Sequence, residues 1–266
     1  MEHRNRTGLF ALVVVGVAVA SGAAFFAGKS TIAAEPVQQQ AGLTAEDIGP
    51  LVREYLLANP ELIEEVQQVL QAKRDAESQK LALAAIDQNR DAIFNAPEDM
   101  IIGNPNGDIT LVEFFDYNCG FCKRAMEDVV RIIEADSNVR VVLKEFPILG
   151  PDSLAAHQVS MAFRKLAPEQ YGDYHMALLG ADVRATEALA IELATEYGVE
   201  EEALRAGMTD PAIEDSIRKA YTLADALGIS GTPSFVLGDE TVFGAVGSDA
   251  LLAKIDNMRQ CQSTVC

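Results

Sequence analysis

Ile109-Thr110-Leu111-Val112-Glu113-Phe114-Phe115-Asp116-Tyr117-Asn118-Cys119-Gly120-Phe121-Cys122-Lys123 is the stretch on which the reading of the whole chain turns. Its first half, Ile109 to Phe115, is short, mostly apolar and rich in aromatic residues, the composition of a buried strand. Beyond Cys119, apolar residues return at Val129, Ile132 and Ile133, the spacing of one helix face. Val139-Arg140-Val141-Val142-Leu143 then predicts a second strand. Strand, helix, strand is a βαβ unit, and its crossover makes the two strands parallel. Cys119 and Cys122 fall where the first strand gives way to the helix.

Cysteines three apart at a helix start occupy adjacent corners of its first turn. The first is expected to be exposed, with unpaired backbone N–H groups and the positive end of the helix dipole behind it, both of which favour a thiolate. The second is expected to face inward one turn on, close enough to close a disulfide. Such a pair supports thiol–disulfide exchange, with Cys119 as nucleophile and Cys122 as resolving thiol. A Cys-x-x-Cys pair also serves as a structural staple or as half of a zinc site; its place after a strand in a βαβ unit favours redox chemistry. The other two cysteines, Cys261 and Cys266, lie 139 residues or more beyond Cys122 in a polar tail. With three histidines in the chain, ligands for an alternative site are scarce, so no metal and no cofactor is expected. Cys261 and Cys266 are expected to form a structural disulfide pinning the tail, the alternatives being free thiols, a shuttle pair or intermolecular bonds. His157 and His175 read as packing or surface residues.

Leu9 to Ala27 is an uninterrupted apolar run preceded by Arg4 and Arg6, about as long as the roughly 20 residues a bilayer core requires. A cleaved signal peptide, with small residues at Ala18-Val19-Ala20 or Ile32-Ala33-Ala34, and an uncleaved anchor over residues 9–27 both fit. Either one exports the remainder to an oxidising compartment, where disulfides persist. The formal charge of −19 repels phosphate backbones and argues against a nucleic-acid partner.

Glu35 to Gly42 is polar and aperiodic, the pattern of a linker. From Leu43 to Phe94 the pattern is helical, with Ile48, Val52 and Tyr55 and then Leu62, Val66 and Val69 at four- and three-residue spacing, and Asn59-Pro60 dividing two helices. Lys73 to Lys80 is polar on every side, so the region reads as a stalk whose helices associate, the alternative being a helix packed on its own domain. Its apolar positions from Ile48 to Phe94, Ile86 among them, have no evident partner in the redox region, and a homo-oligomer through residues 44–95 is expected. Pro97 and Gly103-Asn104-Pro105-Asn106-Gly107 mark the boundary. Pro151 to Leu227 is again helical, punctuated at Pro168, Gly180, Gly198 and Pro211. After Gly231-Thr232-Pro233 come two short strands, Ser234 to Leu237 and Thr241 to Val246, with Gly238-Asp239 as the turn. Ser248-Asp249 is read as the cap of a last helix to about Met258. The expected organisation is a signal or anchor at 1–34, a helical linker and oligomerisation region at 35–98, an α/β domain at 99–260 with a helical insertion at about 151–228, and a tail at 261–266.

Val112 to Lys123 resembles the active-site segment of DsbA-type thioredoxin-fold proteins, and Gly231-Thr232-Pro233-Ser234-Phe235 resembles their cis-proline loop. The helical stretch between matches that family's insertion, and the resemblance spans about residues 100 to 258. By pattern and position, the stalk resembles the N-terminal oligomerisation segment of the suppressor-of-copper-sensitivity C (ScsC) proteins. The resemblance implies a thioredoxin-like α/β fold with catalytic Cys119 and Cys122. It implies a cis Pro233 lying against them, Thr232 offering backbone hydrogen bonds to an extended substrate, and Glu113 as a buried acid relaying protons for Cys122. Strongly oxidising members carry a histidine between the cysteines; Gly120-Phe121 has none, and a threonine before the proline resembles the isomerase and reductase branches. The expected activity is therefore that of a periplasmic isomerase or reductase, acting on exported cysteine-containing proteins with a membrane redox partner. A monomeric DsbA-like oxidase and a copper- or zinc-handling thiol protein are the alternatives, the latter because Cu(I) prefers soft thiolates.

Overall fold

The computed structural model describes residues 44–266; the apolar run from Leu9 to Ala27 lies outside them. The chain divides into two compact units at Pro60. The first contributes one described helix, α1 (Ala45–Ala58). Thr44 and Asp47 close a capping box on it: the Asp47 N–H donates to Thr44 Oγ1, and the Thr44 N–H to Asp47 Oδ2. Two of the four orphan donors of the helix start are thereby satisfied.

The second unit opens with α2 (Glu61–Gln88), 28 residues in which Ile86 alone is buried; at 1.5 Å per residue it is roughly 42 Å long. A five-residue helix, α3 (Arg90–Phe94), leads to strand β1 (Met100–Gly103). Then come β2 (Ile109–Phe115), α4 (Gly120–Ala135) and β3 (Val139–Glu145). The helical insertion comprises α5 (Pro151–Leu166), α6 (Tyr171–Gly180), α7 (Glu187–Glu196), α8 (Glu201–Met208) and α9 (Pro211–Ala226). β4 (Ser234–Leu237), β5 (Glu240–Phe243) and α10 (Ser248–Cys261) complete the fold.

The sheet order is β1-β3-β2-β4-β5. β2 and β3 run parallel, as the βαβ reading requires, and the other pairs are antiparallel. Strand alternation sorts residues between two cores. Leu111 and Phe115 of β2 and Val139, Val141 and Leu143 of β3 face a core shared with α4, α10 and the insertion helices. Val112, Phe114 and Val142 face the other, together with Leu223 and Leu227. Glu113 therefore points with Leu111 and Phe115 toward the α4 side. Helix α4 answers with one buried stripe, Cys122, Ala125, Val129 and Ile132.

Several features depart from the sequence reading, among them the second hairpin strand, which spans Glu240–Phe243 rather than Thr241 to Val246. Ile86, Ile93 and Phe94 are not free for association: all three are buried in the second core, against Val112, Phe114, Val142 and Leu223. Ile86 repeats the apolar period of the stalk, so spacing alone does not distinguish a position that binds the sheet from one that faces outward. β1 was not anticipated. It is four residues long at the sheet edge, and it ends at Gly103, where φ is +74° and a Cβ would stand 2.8 Å from the Val139 carbonyl oxygen. Finally, Ser248 is not the cap of α10. Gly247 takes that place, and the Ser248 N–H donates to Asp128 Oδ1 on α4.

Candidate active site

Cys119 is the N-cap of α4, with extended backbone, and its Sγ accepts the Cys122 N–H at 3.4 Å. The expectation of an exposed nucleophile is corrected: Cys119 is buried, 6% exposed, and Cys122 is fully buried. What covers Cys119 is the loop before β4. The Thr232–Pro233 peptide bond is cis, and the Cys119 Sγ lies 3.1 Å from the Thr232 carbonyl oxygen, to which it donates when protonated. The structure thus brings Cys119, Cys122, Thr232 and Pro233 together from positions more than a hundred residues apart. Both thiols are free.

The two sulfurs are electrostatically unlike. Hydrogen bonding from the Cys122 thiol, then from the Thr232 side chain and the backbone amides of Cys122 and Phe121, pulls the Cys119 thiol down to about 5 against the opposing effect of burial. The Cys122 thiol is pushed well up, by its hydrogen bond to Cys119, by burial and by the charge of Glu113. Cys119 is thus a thiolate at neutral pH and Cys122 a thiol, without any histidine between them. Phe121 is exposed, and the Arg124 guanidinium lies over its ring at 4.2 Å.

Glu113 is buried beneath this pair, and its Oε1 has no hydrogen-bond partner. Burial, then the charge of Cys119, raises its carboxyl to about 8. A group whose folded pKa is raised adds no penalty below its unfolded value and loses stability as pH climbs from there to the folded value. Between pH 4 and pH 7 the cost amounts to about 3 kcal/mol at ~1.4 kcal/mol per unit. The gain in stability of Glu113→Leu over the parent, both reduced, is therefore expected to grow by about 3 kcal/mol between those two pH values. Urea unfolding at each pH measures it, and a gain that does not change with pH would mean that Glu113 ionises normally in the fold.

Cys261 and Cys266 are bonded to each other. The tail they close folds onto the β4–β5 turn, where the Ser263 hydroxyl and the Thr264 N–H donate to Asp239 and the Asn257 side chain donates to the Thr264 carbonyl. Among the described residues no group of three or more His, Cys, Asp or Glu side chains is disposed to hold a metal ion.

The sequence reading missed the residues that fasten the turn ahead of Cys119. Asp116 accepts from the Asn118, Ile148 and Leu149 N–H groups and from the Ser153 hydroxyl, all at 2.8–2.9 Å. Asn118 is tied through its side chain to Ser153 and to both backbone groups of Ala185. His157 and His175 are buried around Tyr117, which settles their packing-or-surface reading in favour of packing. The available signal was the run Asp116-Tyr117-Asn118 itself, two hydrogen-bonding side chains flanking a tyrosine within the motif.

A family model described as a DSBA-like thioredoxin domain matches residues 110–256. The chain belongs to the DsbA-like thioredoxin family. Ahead of that domain, residues 46–77 match the copper resistance protein ScsC N-terminal domain, which accords with the helical stalk. The DsbA-like chain resembles a thioredoxin-like oxidoreductase from Silicibacter pomeroyi DSS-3, with 42% identity and a TM-score of 0.62 over 65% of this chain and 99% of that one. It also resembles a linker-deletion mutant of Proteus mirabilis ScsC, with 27% identity and a TM-score of 0.63 over 83% of this chain and 99% of that one. Disulfide bond formation protein D of Bacillus subtilis (strain 168) is 22% identical over 183 residues, 64% of this chain and 82% of that protein. The chain also matches two Salinispora Na(+)/H(+) antiporter NhaA proteins, but spans 24% of their length.

Proposed function

We propose that this chain is a periplasmic thiol–disulfide isomerase or reductase that acts on exported cysteine-containing proteins as a homo-oligomer. The observation that carries the reading is the Cys119 sulfur at the start of α4, between the Cys122 N–H and the carbonyl of Thr232 in the cis-proline loop. The Cys119 thiolate attacks one sulfur of a substrate disulfide; a mixed disulfide forms and the other substrate sulfur leaves as a thiolate. In reduction, Cys122 gives up its proton, with Glu113 as the relay, and attacks the Cys119 sulfur. A Cys119–Cys122 disulfide forms, the substrate leaves with two electrons more, and a membrane dithiol partner restores the enzyme. In isomerisation the freed substrate thiolate attacks elsewhere, ultimately displacing Cys119, and no net electrons pass. Thr232 and Pro233 line the edge where an extended substrate would lie. Cys261 and Cys266 serve as a structural disulfide for the tail.

Two features support association. Ile48, Leu51, Val52, Tyr55 and Leu57 of α1 are exposed, as are Ile63, Val66, Val69, Leu70 and Leu81 of α2, and solvent-facing apolar rows on isolated helices are relieved by pairing with copies of themselves. The match of residues 46–77 to the ScsC N-terminal domain points the same way. Export rests on the Leu9–Ala27 run; among the described residues no helix is long and apolar enough to cross a membrane. The test compares residues 36–266 with residues 81–266 by mass in solution and by reactivation of a scrambled disulfide protein. The longer fragment is expected to run as an oligomer and to isomerise on the order of tenfold faster per site, gaining from the high effective concentration of neighbouring sites. A monomeric longer fragment, or equal isomerisation by both, would instead favour the monomeric oxidase or reductase.

A further inference from the structure

We infer that His157, oriented by Glu145, is a positioning residue for the Cys119 nucleophile, acting through the backbone N–H of Tyr117. The inference rests on the reading of Cys119 as the nucleophile.

Asp116, Tyr117 and Asn118 join β2 to Cys119, the N-cap of α4, and the Cys119 N–H closes their turn on the Asp116 carbonyl at 3.0 Å. The two outer residues are fastened by their side chains, as described above. The middle one is held by its backbone: the Tyr117 N–H donates to His157 Nε2 at 3.3 Å. A ring nitrogen accepts only when it carries no proton, so the His157 proton belongs on Nδ1. Nδ1 lies 2.7 Å from Glu145 Oε2. The carboxylate on one side and the amide on the other therefore select the same tautomer.

Glu145 is itself fixed. Its Oε1 accepts from the Ser160 hydroxyl at 2.9 Å and from the Tyr171 hydroxyl at 3.0 Å. The Tyr117 hydroxyl meets Ser160 Oγ at 2.8 Å and His175 Nδ1 at 3.2 Å, so the same cluster grips Tyr117 at both ends. Glu145 ends β3, His157 and Ser160 lie on α5, and Tyr171 and His175 lie on α6. Burial holds His175 down to about 3, which keeps that ring neutral.

Buried polar groups need partners wherever they occur. That general need does not explain why a carboxylate–imidazole pair is spent on one peptide N–H two residues before a reactive sulfur. Turning the Tyr117 peptide re-aims Asn118 and Cys119, and with them the 3.4 Å approach of Sγ to the Cys122 N–H. Cys119 keeps its thiolate only while that geometry holds.

The experiment measures the pH profile of Cys119 alkylation in the reduced full chain lacking residues 1–35, for the parent, His157→Leu and His157→Gln. His157→Leu removes both bonds. Its titration midpoint is expected to rise by about one pH unit, lowering the alkylation rate at pH 5 about fivefold and leaving the rate at pH 8 unchanged. Glutamine can donate its amide to Glu145 and accept from Tyr117, so His157→Gln is expected to recover most of the parent profile. Histidine nitrogen NMR of the parent, which depends on no variant folding, is expected to give a proton on Nδ1 of His157 and none on Nε2 at pH 7. A proton on Nε2, a folded His157→Leu with the parent profile, or a His157→Gln no better than a folded His157→Leu would each overturn the inference. None of these would touch the functional reading, which fails separately if Cys119→Ser retains exchange.

Discussion

Cys119→Ser is expected to reduce disulfide exchange to the uncatalysed background, whereas Cys122→Ser is expected to complete the first attack and then stall as a mixed disulfide with its substrate. The difference follows from the two environments. The Cys119 thiol is held down to about 5 by hydrogen bonds that stabilise its anion, so it is ionised under the conditions of any ordinary assay. A serine hydroxyl in the same place receives the same hydrogen bonds but stays protonated and does not attack sulfur. The Cys122 thiol is buried and held well above its ordinary range, so it is silent until attack on Cys119 alters its surroundings. Iodoacetamide should accordingly label Cys119 alone at neutral pH, with a rate that rises through pH 5 and then levels off. Mass spectrometry of the labelled, digested protein decides the order; Cys122 labelled first would reverse the roles. Linkage gives a further sign. A folded pKa lowered from its unfolded value adds stability that is full above the unfolded value and is lost as pH falls from there to the folded one. The reduced protein should therefore lose stability relative to the oxidised one as pH falls toward 5.

The redox centre was legible in the sequence because its chemistry is local. A strand of seven residues, two cysteines three apart and a helix with one apolar face occupy a single unbroken stretch, and the β2–α4–β3 unit follows from their order. The loop at Thr232 and Pro233 came from resemblance rather than from spacing, since no local pattern says that it meets Cys119 across the fold. Glu113 lay between the two. Its place in an apolar strand argued for burial, and alternation in β2 puts it on the α4 face with Leu111 and Phe115. The supporting cluster was not legible. Glu145, His157, Ser160, Tyr171 and His175 belong to three elements; the two histidines read only as packing or surface residues, and no local pattern joins them to the other three. Cys119 failed in the opposite way. The start of a helix is usually open to solvent, and only the long-range packing of the cis-proline loop covers it.

The same limit, local pattern against distant packing, decides where the redox domain begins. A fragment of residues 96–266 is expected to lose its cooperative fold, while residues 81–266 keep it. The shorter fragment lacks Ile86, Ile93 and Phe94, all buried against β2, β3 and α9. Deleting one such side chain from a core costs roughly 2–5 kcal/mol, and a whole domain is stable by only about 5–15 kcal/mol. Polar losses add to the apolar ones. The Ala92 carbonyl accepts from the buried Lys144 ammonium, and the Phe94 carbonyl accepts from Arg140 at 2.8 Å; removing both leaves β3 with two cations short of an acceptor. Near-UV circular dichroism and urea unfolding of the two fragments test this, and equal midpoints would mean that α3 and the end of α2 contribute little to the domain. The comparison also bears on the stalk. Cutting at residue 95 removes an exposed apolar row and a piece of the core at once, so a loss of isomerase activity there has two explanations. Cutting at residue 80 removes Val66, Val69 and Leu70, which are exposed, and leaves Ile86 in place. Only that fragment separates association from stability, and on it the case for an oligomeric isomerase stands or falls.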